Sequence, residues 1–204
     1  SAALAGNTTG DYNTAVGFTA LAANTTASNN TAVGYASLTA NTTGTRNNAV
    51  GAVALDANTT GSYNNAFGYN SLGANTTGAE NVGMGDNALA ANTAGSYNAA
   101  LGTSSLANNS TASNNTAVGY ASLNANTTGA RMTSVGSRSG MQNTTGNYNA
   151  FFGYDSGESN TTGAYNAFFG DSAGRETTTG GENTAIGQAA LLSNTTASNN
   201  TAVG

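Results

Sequence analysis

The residues that could do chemistry in this chain are few and scattered. Nine Asp or Glu and four Arg leave a net charge of -5, and His and Cys are absent. The chain therefore lacks the usual general base and metal ligand at neutral pH, as well as any thiolate ligand. Asp155 and Glu158 are close in sequence, but no neighbouring residue pairs them with a metal or a base. Because an active site needs unlike groups converging at one place, we expect no enzyme activity, no metal and no cofactor.

A second chemical motif is Asn-X-Thr, the acceptor sequence for N-glycosylation. The candidate acceptors are Asn7, Asn24, Asn41, Asn58, Asn75, Asn109, Asn126, Asn143, Asn160 and Asn194. One hypothesis is a fibre sheathed in glycan along one edge. The alternative is that Asn and Thr shape a chain corner, where an Asn side chain can form an Asx-turn.

These motifs recur at a fixed spacing of 17 residues, without insertion or deletion. The repeats start at Asn13, Asn30, Asn47, Asn64, Asn81, Asn98, Asn115, Met132, Asn149, Asn166, Asn183 and Asn200. We number repeat positions 1 to 17 from Asn30. Disorder does not require so strict a period. We expect residues 1–204 to be a single repeat array with partial repeats at both ends. Without capping repeats, it is expected to be a piece of a longer fibre.

The composition of each repeat favours β-structure over helix. Gly, Asn and Thr are poor helix formers, and each repeat has breaker residues at position 5 and around positions 12 to 15. We predict one strand near positions 1 to 5, another near positions 7 to 11, and a corner between repeats. The fold class is therefore all-β, a parallel β-solenoid of twelve 17-residue rungs. At about 4.8 Å per rung, it would rise roughly 55 Å.

Identical residues in successive rungs would lie above one another. Asn at positions 1 and 12 is predicted to form side-chain amide ladders, as at Asn30, Asn41, Asn115 and Asn126. Gly at position 5 is predicted to bend each rung. Examples of this bend are Gly34, Gly51, Gly68 and Gly119.

Volume exchange indicates which positions face the interior. Leu at position 9 becomes Gly in Gly140, Gly157 and Gly174, and two of those rungs gain Phe151 or Phe168 at position 3. Close-packed interiors conserve volume, so positions 3 and 9 are predicted to face each other. The rung with Ser134 and Gly140 does not follow this pattern.

Position 4 is apolar in every repeat, although strand alternation would turn it away from position 3. We call this column the association stripe. It includes Val16, Val33, Val50, Phe67, Met84, Val118, Phe152 and Phe169. An exposed apolar stripe normally marks an association surface, which predicts a homo-oligomer or filament. The alternative is that the bend at position 5 tucks the stripe into the core.

The tyrosines occupy positions 6 and 17, which otherwise hold polar or charged residues and should face solvent. Exposed Tyr could stack on a cell-surface glycan or could simply favour a β-rich surface. Only 6% of residues are charged, which opposes binding to nucleic acid. No apolar run is long enough to insert into a membrane.

Asn-Thr-Ala-Val-Gly at Asn30, Asn115 and Asn200, and Asn-Thr-Ala-Ile-Gly at Asn183, resemble the head repeats of YadA-like trimeric autotransporter adhesins. They also resemble repeats of bacteriophage tail-fibre proteins. The resemblance implies a left-handed β-roll, three chains about one axis, and an extracellular, cell-surface or virion location. The repeat here departs from the autotransporter pattern by an added Asn-Thr-Thr-Gly corner.

We therefore expect a structural fibre or shaft segment of a surface adhesin, which spaces or mediates attachment. One alternative is a self-assembling, glycosylated extracellular filament. Another is a solenoid that binds carbohydrate or ice, since a regular Thr array could match a repeating lattice.

Overall fold

A computed structural model describing residues 2–204 shows one β-solenoid of stacked rungs. Twelve three-residue strands lie parallel in a single sheet, in chain order. Each strand pairs with the strand 17 residues further on, as Thr31 does with Asn48. The strands are β1 (Thr14–Val16), β2 (Thr31–Val33), β3 (Asn48–Val50), β4 (Asn65–Phe67), β5 (Val82–Met84), β6 (Ala99–Leu101), β7 (Thr116–Val118), β8 (Thr133–Val135), β9 (Ala150–Phe152), β10 (Ala167–Phe169), β11 (Thr184–Ile186) and β12 (Thr201–Val203). The predicted all-β parallel solenoid with 17-residue rungs is confirmed.

The second predicted strand, at positions 7 to 11, is wrong. Those positions form successive turns closed by backbone hydrogen bonds, such as Ala22 N to Thr19 O and Asn24 N to Leu21 O. Positions 7 and 9 have left-handed φ values, 53° at both Ala36 and Leu38. Residues other than Gly rarely adopt this conformation. The Ala and Leu residues at these positions therefore did not predict left-handed turns.

Position 5 requires Gly because the backbones of neighbouring rungs come close there. Gly34 has a φ of 140°, and a Cβ added to it would lie 2.4 Å from the carbonyl oxygen of Gly51. Gly51, Gly68 and Gly119 share this conformation, with φ values of 139°, 132° and 128°. A side chain at this position would therefore push the rungs apart.

The interior is formed by positions 3, 8 and 9, where Ala32, Ser37 and Leu38 are fully buried. A Cβ added to Gly174 would lie 2.3 Å from Cε2 of Phe168, so the ring fills the space that Leu fills elsewhere. This confirms that positions 3 and 9 face each other. Gly140 is also explained, because a Cβ there would lie 2.7 Å from Cδ2 of Phe151 in the next rung.

Candidate association surface and interior ladders

The position 12 asparagines form a side-chain ladder inside the solenoid that runs from Asn7 to Asn160. Asn41 Nδ2 donates to Asn24 Oδ1 at 3.0 Å and to Gly44 O at 2.9 Å. Asn126 repeats the pattern in its own rung, donating to Asn109 Oδ1 and to Gly129 O. Both amide hydrogens are therefore used, one between rungs and one to hold the corner of the same rung.

The position 1 asparagines make the predicted amide-to-amide bond at some rungs, as from Asn81 Nδ2 to Asn64 Oδ1 at 3.1 Å, but they link rungs mainly through a backbone N–H donor. Asn30 Oδ1 accepts from the backbone N–H of Asn47 at 3.0 Å, and Asn30 Nδ2 donates to Gly44 O at 2.9 Å. Asn115 has the same two bonds, with Met132 N as donor and Gly129 O as acceptor. The carbonyl at position 15 thus accepts from both Asn columns, which satisfies both of its lone pairs.

The candidate glycosylation sites lie in the position 12 ladder. Eight of the ten are fully buried, namely Asn24, Asn41, Asn58, Asn75, Asn109, Asn126, Asn143 and Asn160. The other two, Asn7 and Asn194, are half-buried. A glycan on Nδ2 would replace one amide hydrogen and would need room that the buried sites do not have. Glycan attachment and the ladder therefore exclude each other at each buried site.

We expect the eight buried acceptors to stay unmodified in the folded chain, whose polypeptide mass is 19.9 kDa, even after secretion from a glycosylating host; any glycan should be confined to Asn7 and Asn194. The burial of the acceptor nitrogens is the reason. Intact mass spectrometry of the folded fraction, with and without enzymatic deglycosylation, measures this. A folded, protease-resistant fraction that carries glycan on buried Asn residues would contradict the expectation.

The association stripe lies on the outer face of the sheet. The middle residue of each strand from β2 to β11 is buried, whereas Val16, Met84 and Phe169 are 59%, 44% and 41% exposed. Phe67 is also exposed, and Val33, Val50, Val118 and Phe152 are half-buried. Phe152 and Phe169 stack with ring centroids 4.9 Å apart. The bend at position 5 does not turn these side chains into the core.

Four charged side chains form a cluster, which we call the arginine–carboxylate clasp. Arg138 Nε and Nη2 donate to the two Asp155 carboxylate oxygens at 2.8 and 2.5 Å, and Arg175 Nε donates to Glu158 at 2.9 Å. The hydrogen bond to Asp155 raises the pKa of Arg138 above its ordinary value. The carboxylates are buried and lie in one rung, between arginines of the rungs on either side. The clasp therefore ties three rungs together.

The tyrosines face solvent, and some of their rings stack on a neighbour in the same column. Tyr148 and Tyr165 stack with centroids 4.8 Å apart and planes within 5°, and the Arg131 guanidinium lies 5.2 Å from the Tyr148 centroid. The Tyr148 ring thus lies between two neighbours of its own column. A sugar chain lying along this stack would meet ring edges and hydroxyls rather than the faces on which sugars stack.

A shallow, open depression lies over small residues in the third to sixth rungs. Gly73, Ala90, Asp56, Asn70 and Asn87 are among the residues that line it. Partial burial raises the pKa of the Asp56 carboxyl above its ordinary value. In residues 2–204, no three His, Cys, Asp or Glu side chains gather as a metal site would require.

None of those residues forms a helix long and apolar enough to span a bilayer. No protein-family model, no curated protein and no solved structure matches this chain.

Proposed function

We propose that this chain is the shaft segment of an extracellular or virion surface fibre, which spaces or mediates attachment. Copies associate side by side through the association stripe. The observation that carries the proposal is the unbroken apolar column along all twelve strands, on a sheet face that its own chain leaves uncovered. A stack of rungs with the same backbone is well suited to act as a spacer. Each further rung lengthens the fibre and extends the same apolar face.

The size of the sheet face supports this association. Three-residue strands are about 10 Å long, and eleven steps of about 4.8 Å give a length of roughly 53 Å. Each copy could then contribute about 530 Å², or about 1,060 Å² for a pair. A specific interface should exceed about 1,000 Å², so the face is large enough if most of its length is used.

We expect the chain to be oligomeric in solution, and the double variant Phe152→Glu with Phe169→Glu to be monomeric. Two carboxylates without partners would have to be buried at the interface, which should weaken association at least about 100-fold. Native mass spectrometry and sedimentation equilibrium measure this change. Far-UV circular dichroism checks that the variant keeps its fold.

The matched control is Tyr12→Glu with Tyr97→Glu, which adds the same charge at exposed positions away from the stripe. This control should stay oligomeric. A wild-type chain that sediments as a clean monomer at high concentration would overturn the proposed association. Dissociation of both double variants would show that added charge, rather than the stripe, is responsible.

A further inference from the structure

The position 12 ladder is interrupted at one rung, where Thr177 stands in place of Asn. Thr177 and Asn160 are both fully buried. No group in residues 2–204 hydrogen-bonds Thr177 Oγ1 or Asn160 Oδ1. Gly180 O accepts only from Asn166 Nδ2, although the equivalent carbonyl of Gly163 accepts from two asparagines. Three polar atoms around this interruption thus lack one bond that their equivalents in other rungs make, and on the far side Asn194 Nδ2 donates only to Ala197 O.

The space that the missing amide would occupy can be located from the neighbouring glycines. A Cβ added to Gly163 would lie 2.4 Å from Asn160 Oδ1 in the same rung. At Gly180, the nearest atoms to an added Cβ belong to Ala197 and Asn183, not to Thr177. Thr has one side-chain heavy atom fewer than Asn and leaves room beside these polar atoms.

The other interruption, at position 1, differs because the chain itself fills it. Met132 replaces Asn there, and its sulfur accepts from the backbone N–H of Asn149 at 3.4 Å. Met132 is 1% exposed, and although Gly146 O in its rung accepts only from Asn143 Nδ2, no buried side-chain polar atom around Met132 lacks a partner. Only the interruption at Thr177 therefore needs a group from outside the chain.

We propose that one water molecule binds at this rung, at the place where the amide nitrogen stands in other rungs. The water donates one hydrogen to Asn160 Oδ1 and the other to Gly180 O, as the amide would. It accepts the hydrogen of Thr177 Oγ1. Three hydrogen bonds are typical for a buried water, and this arrangement gives Asn160 Oδ1, Thr177 Oγ1 and Gly180 O each a partner.

The direct test is a crystal structure at about 1.5 Å or better. We expect one fully occupied water within hydrogen-bond distance of Asn160 Oδ1, Thr177 Oγ1 and Gly180 O. In Thr177→Asn the water should be absent, the ladder continuous, and the melting temperature higher by roughly 2 to 4 °C. Thr177→Val, which keeps the shape but removes the hydroxyl, should lower the melting temperature.

Two results would overturn the proposal. One is a wild-type structure in which the rung has closed up and the three atoms have protein partners. The other is a melting temperature that depends on whether the salt is sodium or potassium chloride, because the site would then hold a cation. The wild-type structure decides the matter even if a variant does not fold.

Discussion

Replacing Phe168 by Ala and Gly174 by Leu in one chain is expected to restore most of the stability that either change removes alone. Phe168→Ala should cost about 3 to 5 kcal/mol, because it leaves a cavity in the core. Gly174→Leu should cost about 1 to 3 kcal/mol or more, because its side chain collides with the Phe168 ring. Together they recreate the Ala and Leu pair of the other rungs. Leu is tolerated in this backbone, since Leu191 in the next rung has a φ of 52°.

Urea unfolding of the two single variants and the double variant measures the coupling between these positions. The matched control combines Phe168→Ala with Gly140→Leu, because the space at Gly140 is filled by Phe151. We expect a much smaller coupling in the control, whose two sites touch only through the stacked Phe151 ring. If the losses of stability from Phe168→Ala and Gly174→Leu also added, the two side chains would not compensate for each other's volume. The pairing of Phe at position 3 with Gly at position 9 would then need another explanation.

Removing one interior ladder residue, by Asn75→Ala, is expected to destabilise the chain by about 3 kcal/mol or more. Asn75 Nδ2 donates to Asn58 Oδ1 and Gly78 O, and its Oδ1 accepts from Asn92 Nδ2. The substitution leaves two amides of the ladder each short of a buried partner. Each orphaned group should cost about 1–3 kcal/mol.

Thr77→Ala is the control for this prediction. Thr77 lies at the same corner, is exposed, and makes no side-chain hydrogen bond within residues 2–204. It should change the stability by less than about 0.5 kcal/mol. Chemical denaturation followed by circular dichroism compares the two variants. Equal, small losses would mean that the ladder contributes little to stability.

The period and the column chemistry were sufficient to predict the parallel stacking, because a 17-residue repeat of Gly, Asn and Thr fits few other structures. The left-handed turns could not be predicted, because Ala36 and Leu38 adopt a conformation that their residue types disfavour. Tertiary packing and hydrogen bonds between rungs override that local preference. The gap at Gly140 could not be explained within one rung, because the ring that fills it comes from the next rung.

The arginine–carboxylate clasp was missed, although its signal is in the sequence. Arg138 and Asp155 are 17 residues apart and share position 7, and Glu158 and Arg175 share position 10. Opposite charges in one column of consecutive rungs predict contact once stacking is assumed. The opposite charges at positions 7 and 10 of neighbouring rungs therefore predict both pairs.

The left-handed residues at positions 7, 9 and 17 also bear on how the solenoid forms. Each costs roughly 1–2 kcal/mol in an L-residue, whereas most of the bonds that offset this cost connect one rung to the next. A lone rung would have this backbone strain without those bonds. Forming the first rungs should therefore have a high free-energy barrier. Later rungs can form their backbone hydrogen bonds with a rung that is already folded. Folding should therefore begin with a slow nucleation step, followed by fast addition of one rung after another.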